Sequence, residues 1–300
     1  MSGCPHAAAQ DGPTGEPARP VAPPAPPVPP AHRPERPAPQ GDTTIELDGE
    51  PAAPDDLATL ALTNYGHFTT LLVEDGAVRG LDLHLERLIR DCRLLFDTPL
   101  DPDRVRALAR RAAPASGRRV VRVTVYDPAL NLATIAMDAH PRVLVTARPA
   151  PTGDPGPLRV RTAVHLRDLP EVKSVGLSAT LRLRRLAARD GYDDVLLTGA
   201  DGAILEGGTW NIGLVRDGEV VWPGGDILAG TTRQLLRRAG DDLTDLVSIP
   251  ELDDCEAVFA TNAVTGVRSV VRVDDREFPA THPVLSRLAR TYLALPATPL

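Results

Sequence analysis

Along this chain the spacing of apolar positions changes period several times, and each change predicts an element. In "LHLERLIRDCRLLF" (83–96), Leu85, Leu88, Ile89, Cys92, Leu95 and Phe96 recur at three and four, which predicts one face of an amphipathic helix. "DPDRVRALARRAA" (101–113) predicts a second helix, with Pro102 near its start, where proline is tolerated. Period two appears before and after this pair. "TTIELDGEPA" (43–52) reads as strand, turn and short return, and "FTTLLVEDGAVRGLD" (68–82) as a hairpin with Asp75-Gly76 at a type I′ tip. "RRVVRVTVYDP" (118–128) and "PRVLVTARPA" (141–150) read as further strands. Together these predict a small α+β domain over 42–150. The Pro/Gly-rich "ARPAPTGDPGPLRV" (147–160) reads as a connection. A larger domain over 151–300 follows: a strand to about Leu166, a loop, and the helix "SATLRLRRLAARDG" closed by Gly191. The run "DVLLTGADGAILEGGTWNIGLVRDGEVVWP" (194–223) reads as consecutive strands turning at Asp201-Gly202 and Asp217-Gly218. The helix "AGTTRQLLRRAG" and a strand pair in "AVFATNAVTGVRSVVRV" come next. Repeats of solenoid length are absent from the sequence.

Composition changes the picture at the N-terminus. Residues 1–41 hold 13 of the 31 prolines, a bias that predicts a disordered or polyproline II tail, passive or a ligand for an SH3-like partner. A net charge of −7 argues against a nucleic-acid binder. Three cysteines without CxxC spacing, and seven histidines without HExxH spacing, predict neither a disulfide framework nor a metal site. With no apolar run of membrane length and no secretory signal pattern, a cytoplasmic protein is expected.

Candidate chemistry starts from one residue. Of 33 Lys plus Arg, only Lys173 is lysine. It is either a surface lysine that escaped a drift to arginine, or an amine kept because only a primary amine condenses with a carbonyl and then shuttles a proton. Glu206, in "ILEGGTWNIG", is either a polar residue beside a turn or a carboxylate beside glycines that admit a ligand. Such a carboxylate would keep a pyridine nitrogen protonated. Gly230, Thr231 and Thr232 stand at a predicted helix start, an ordinary N-cap or an anion site. Arg87 lies off the apolar stripe of its helix, either solvated or free to meet a phosphate.

In this order the four elements resemble the class IV aminotransferases, the fold-type IV pyridoxal phosphate enzymes, over about 43–278. "HLERL", "EVKS", "DGAILEGGTWNIGLVRDGEVVWP" and "LAGTTRQLL" carry the resemblance. It implies a two-domain fold, small N-terminal domain plus a larger C-terminal pseudo-barrel, and a pyridoxal 5'-phosphate cofactor held by Lys173 as a Schiff base. It implies Arg87, Thr231 and Thr232 at the phosphate, Glu206 at the pyridine nitrogen, and Asn211 and Asn262 in the cofactor site. It further implies amino acid and 2-oxo acid substrates, and a homodimer with the site between the domains.

Departures from the family pattern bear on the reaction. Branched-chain enzymes carry a tyrosine where Ser178 stands. D-amino-acid enzymes hold a carboxylate with an arginine where Tyr126 and Asp127 stand, and Thr69 replaces the usual glutamate of the first hairpin. "FTT" and "TNAV" (261–264) look more like the aminodeoxychorismate lyases, which expel pyruvate. Aminotransfer is the leading expectation as the broader activity of the fold. The lyase is the alternative, and a non-catalytic protein acting through its tail a third. Tyr65, His67 and Thr69 are the candidate substrate contacts.

Overall fold

The computed structural model describes residues 43–240 and 243–300, so the proline-rich tail lies outside the described residues. The first half of the described chain runs β1 (Thr44–Leu47), β2 (Glu50–Pro51), α1 (Pro54–Thr63), β3 (His67–Glu74), β4 (Ala77–Arg79), α2 (Leu81–Phe96), α3 (Pro102–Ala112), β5 (Arg118–Tyr126) and β6 (Arg142–Pro149). After the connection come β7 (Leu158–Val164), α4 (Ser178–Arg189), β8 (Asp194–Thr198), β9 (Ile204–Gly207), β10 (Asn211–Arg216), β11 (Glu219–Pro223) and α5 (Thr231–Arg238). Then follow β12 (Leu243–Asp245), a 3₁₀ turn at Ile249–Asp254, β13 (Ala257–Asn262), β14 (Gly266–Val273), β15 (Arg276–Glu277), α6 (Pro283–Ala294) and β16 (Ala297–Pro299). The chain is α+β, as its patterning predicts.

The strands form two sheets. The first, ordered β16-β4-β3-β5-β6-β1-β2, is antiparallel throughout. Its central strands β3, β5 and β6 pair in full register, for example Thr70 with Arg122 and Arg122 with Thr146. At the hairpin tip Asp75 and Gly76 both have positive φ, 48° and 73°, which the type I′ turn requires. The second sheet is mixed, in the order β12-β11-β10-β13-β14-β7-β8-β9, with β15 beside β14. It curls back on itself: Gly207 N–H donates to Trp210 O at 2.8 Å, bringing the β9 edge beside β10. The last strand, β16, crosses back to pair with β4 of the first sheet.

Each sheet has its own core. Leu71, Val73, Leu88, Cys92, Phe96, Val121, Val123 and Val145 pack α2 and α3 on the first sheet, and Leu88 and Val121 are essentially water-free. A side chain of that size contributes about 1.5–3 kcal/mol by burial. In the second half, α6 buries Val284, Leu285, Leu288 and Tyr292 against Trp222 and Phe259. Two features depart from the sequence reading. Helix α1, absent from it, has no fully buried residue; Leu57 and Leu60 are half-buried on its inner face, and it starts on a proline with Asp56 accepting from Ala53 N–H at 2.9 Å. Helix α2 buries more than its apolar stripe: His84, Arg87 and Asp91 are also inside. Among the described residues no helix is long and apolar enough to cross a membrane.

Candidate active site

A cleft of about 480 Å³ is walled by β3, β5 and β6 of the first sheet and by β9, β10, α4 and the start of α5 in the second half. Lys173, Glu206, Arg87, Asn211, Thr231 and Asn262 all line it. Residues up to 175 positions apart in sequence thus share one cavity, and the physical reasons differ at each.

Lys173 sits on the connection between β7 and α4, and its backbone is fixed on both sides. Its N–H donates to Asp91 Oδ2 at 2.9 Å, and its carbonyl accepts from Phe68 N–H at 2.9 Å. Two residues on, Val175 N–H donates to Gly66 O at 3.0 Å. The loop is therefore pinned between α2 and β3, with Nζ 4.9 Å from the centroid of the Phe68 ring. Burial holds the amine down to about 7, helped by the Arg87 and Arg167 guanidiniums, opposed by Glu206, and helped again by Arg122. A lysine in this condition is about half neutral at pH 7, so it can serve as a base there.

Glu206 is the penultimate residue of the buried strand β9. Its Oε1 accepts from Arg167 Nη1 and from Leu228 N–H, both at 3.3 Å. Burial raises its carboxyl above the ordinary range, against the opposing pull of Arg167, the Leu228 N–H and Lys173. Arg167 also donates to Val172 O, so it ties the glutamate to the lysine loop. The glycine beside Glu206 is a packing requirement, since a Cβ on Gly207 would lie 1.9 Å from the Trp210 ring.

Arg87 and the start of α5 also line the cleft. Arg87 Nη2 donates to Thr69 Oγ1 at 2.5 Å, and its Nε meets no protein acceptor although buried. His84 Nδ1 lies 2.7 Å from Thr69 Oγ1 and 3.3 Å from Arg87 Nη2. Burial, then the nearby cations Arg87 and Lys173, hold His84 well below its ordinary value, so the neutral ring accepts and the threonine hydroxyl donates. Thr231, the first residue of α5, has a buried hydroxyl with no protein partner, beside backbone N–H groups that no helix carbonyl satisfies. Thr232 is buried one position behind, against Tyr292 rather than at the cleft wall. Asn211 braces the start of α5: Oδ1 accepts from Gly230 N–H at 3.0 Å and Nδ2 donates to Leu228 O at 2.8 Å. A Cβ on Gly230 would lie 2.0 Å from Asn211 Oδ1, so the approach needs glycine. Asn262 Oδ1 accepts from Val264 and Thr265 N–H, both at 2.9 Å, shaping the turn that closes this side.

The substrate contacts expected at Tyr65, His67 and Thr69 do not line the cleft. Side chains alternate across a strand, and this register turns His67 and Thr69 toward α2. Phe68 and Thr70 face the cleft instead. Tyr65 packs edge-on against Phe96 at 5.4 Å and donates to Leu95 O. His67 is fully buried, and burial with Arg90 and Arg87 lowers it to about 3. Ser178, the first residue of α4, is exposed, while Leu177, Thr180, Leu181 and Arg184 around it line the cleft. Asp91, which holds the lysine loop, escaped the sequence reading. Its signal was there: His84, Arg87 and Asp91 repeat at three and four, a polar stripe beside the apolar one.

Residues 66–273 match the family model described as amino-transferase class IV. The chain belongs to the class IV aminotransferase family. Its fold is the fold-type IV arrangement, and the family's enzymes use pyridoxal phosphate. Similar proteins include a bifunctional aminodeoxychorismate lyase / D-amino acid transaminase of Mycobacterium tuberculosis, 29% identical over 284 residues, 79% of this chain and 93% of that protein. Among solved structures, a fold IV-transaminase from Curtobacterium pusillum superposes with a TM-score of 0.68 at 26% identity, over 84% of this chain and 99% of that one. A branched-chain aminotransferase from Thermoproteus uzoniensis has the same fold, with a TM-score of 0.74 at 21% identity over 84% of this chain and 94% of that one.

The cleft fits the family's cofactor on its own chemistry. A phosphate needs buried donors without protein partners, which Arg87 Nε, Thr231 Oγ1 and the α5 N-terminus supply. A pyridine nitrogen needs a carboxylate to stay protonated, and an aldehyde needs an amine. Glu206 and Lys173 supply these in the same cavity.

Proposed function

We propose that this chain moves an amino group between an amino acid and a 2-oxo acid, with Lys173 as its catalytic base and cofactor-anchoring amine. The observation that carries the reading is a lysine amine lowered to about 7, in one cleft with a buried carboxylate and a set of unpartnered anion donors. Arg87, Thr231 and the backbone at Thr232 would hold the phosphate, Glu206 the ring nitrogen. Asn211 and Asn262 would keep the walls in shape. When bound, pyridoxal phosphate supplies an aldehyde for the amine and a ring that withdraws electrons from the substrate Cα. The chain's own part is then local. Nζ of Lys173 would take the proton from the substrate Cα and deliver it to the carbon that carried the cofactor's aldehyde. Glu206 stays ionised against the ring, aided by Arg167. Phe68 keeps water from the face on which Nζ works.

A second reading is elimination of pyruvate from aminodeoxychorismate. It is favoured by the M. tuberculosis relative, whose name carries both activities. We further propose a homodimer in the cytoplasm. We also propose two lobes, 42–150 and 151–300, with the β16 strand joined to the first. Lys173 makes the test of the central reading unusually clean. Borohydride should fix the cofactor at the chain's single lysine, and Lys173→Ala should retain no label there. A wild-type protein that takes up no pyridoxal phosphate defeats the reading. Keto acid formed once per site from an amino donor alone marks aminotransfer. Catalytic pyruvate from aminodeoxychorismate marks the lyase.

A further inference from the structure

Five arginines line the cleft, and three have an evident partner or task. Arg167 is bonded to Glu206, and Arg184 Nε donates to the buried Asp194 at 2.8 Å. Arg87 is bonded to Thr69 and lines the same cleft as the start of α5, with its Nε free for an anion. Arg122 and Arg148 meet no carboxylate among the described residues. Arg122 has only Thr124 Oγ1, at 3.3 Å from Nε, and Arg148 only the Pro149 carbonyl, at 3.4 Å.

The sheet register puts this pair on one wall. Arg122 is opposite Thr70 on β3 and opposite Thr146 on β6. Arg148 is two residues beyond Thr146, so it shares the face and is the diagonal neighbour of Arg122. Thr70, Arg122 and Arg148 all line the cleft. Arg122 stacks on the Phe68 ring, 3.6 Å from its centroid, and Lys173 Nζ lies 4.9 Å from the same centroid. The reacting amine and the nearer guanidinium thus both lie against one ring. A half-buried guanidinium without a counter-ion is costly unless a ligand supplies one. The cleft's own carboxylate, Glu206, is already engaged.

We propose that Arg122 and Arg148 are the carboxylate-recognising residues of this site, and that its substrate carries two carboxylates. The inference rests on the assignment of Lys173 as the reacting amine. Arg122, beside the amine, takes the carboxylate next to the reacting carbon. Arg148, further out and exposed, takes the distal one. Glutamate and 2-oxoglutarate have this arrangement; aminodeoxychorismate also carries two carboxylates, though neither is on its amine-bearing carbon. An apolar amino acid would leave Arg148 without a partner.

Non-reacting acids test the wall directly on the cofactor-loaded protein. Glutarate carries two carboxylates, and isovalerate carries one on a branched apolar chain. Their dissociation constants follow from the change each causes in the cofactor's visible absorbance. Wild type should prefer glutarate by about 5-fold, the scale of an exposed ion pair. Arg148→Ala should bring that ratio to about one. Arg122→Ala should weaken glutarate by about 30-fold, the low end for a desolvated charge pair. Arg122→Lys, which keeps charge but not the fork, should recover only part. The retained visible band shows that each variant is folded. A glutarate preference unchanged in Arg148→Ala, or wild-type affinity in Arg122→Ala, overturns the proposal. A wild type without the visible band fails the Lys173 reading instead. Steady pyruvate from aminodeoxychorismate, or keto acid from glutamate, then identifies which dicarboxylate is used.

Discussion

Replacing Asp91 by alanine separates the placing of the lysine from its chemistry. Asp91 Oδ2 accepts the Lys173 N–H at 2.9 Å, and Oδ1 accepts from Arg90 Nε and Nη2 at 3.0 and 2.6 Å. The Asp91 side chain is wholly buried, and that of Arg90 is 44% exposed. Losing a hydrogen bond to a charged acceptor costs about 1.5–3 kcal/mol when the donor stays buried. Water can replace the Arg90 contact, so that half adds little. The expected loss of stability is therefore about 2 kcal/mol. The kinetic effect is larger than this suggests, because the freed loop carries Nζ. A displacement of about 1 Å lowers a rate by roughly 100-fold. Urea unfolding of the cofactor-free protein measures the first quantity, and single-turnover conversion of a bound amino acid the second. Asp91→Asn keeps an acceptor oxygen and should recover most of the rate. Asp91 is not among the groups that set the Lys173 amine, so the pH inflection of the rate should stay near 7. A single-turnover rate within about 3-fold of wild type in Asp91→Ala would refute the positioning role, as would Asp91→Asn reacting no faster than Asp91→Ala.

Three further outcomes follow from the electrostatics. The Lys173 amine, lowered to about 7, accepts a proton only when neutral, so single-turnover rate should rise through about pH 7 and then level. A flat profile from roughly pH 6 to 8 speaks against a lysine base. Arg167→Gln removes a cation that lowers this amine, so the inflection should move to higher pH. Glu206→Gln should keep the cofactor but slow Cα deprotonation by roughly 100-fold. Unchanged turnover there would remove Glu206 from its role.

Most of the site was legible because its residues interrupt patterns. Lys173 is one amine among arginines, Glu206 is the penultimate residue of an apolar strand beside two glycines, and Thr231 opens a helix. What was not legible is which way a strand's alternation points. "NYGHFTT" offers Tyr65, His67 and Thr69 as the polar candidates, and a half-buried strand with one solvent face would show them there. β3 instead has structure on both faces. Its odd positions meet His84, Arg87 and Phe96 of α2, and its even positions, Phe68 and Thr70, face the cleft. With both faces enclosed, polarity alone no longer distinguishes them.

The same face explains why a search for the substrate arginine at Tyr126 and Asp127 finds none. Arg122, Thr124 and Tyr126 alternate onto one side of β5. That side is divided along its length. At the Tyr126 end it is roofed by α1, whose Leu57 and Leu60 pack with Tyr126, Leu47 and Leu144. The Tyr126 hydroxyl is bonded to the Asp56 carbonyl, and Asp127 accepts from Ala129 and His140 N–H to shape the loop beyond. An arginine at 126 would be buried under a helix, away from Lys173. Four residues back the roof ends and the cleft begins, and there the strand carries Arg122. The helix that the sequence reading passed over thus decides where on this strand a carboxylate can be received. Cutting back Leu57 and Leu60 should therefore loosen Tyr126 without changing which arginine meets the acid.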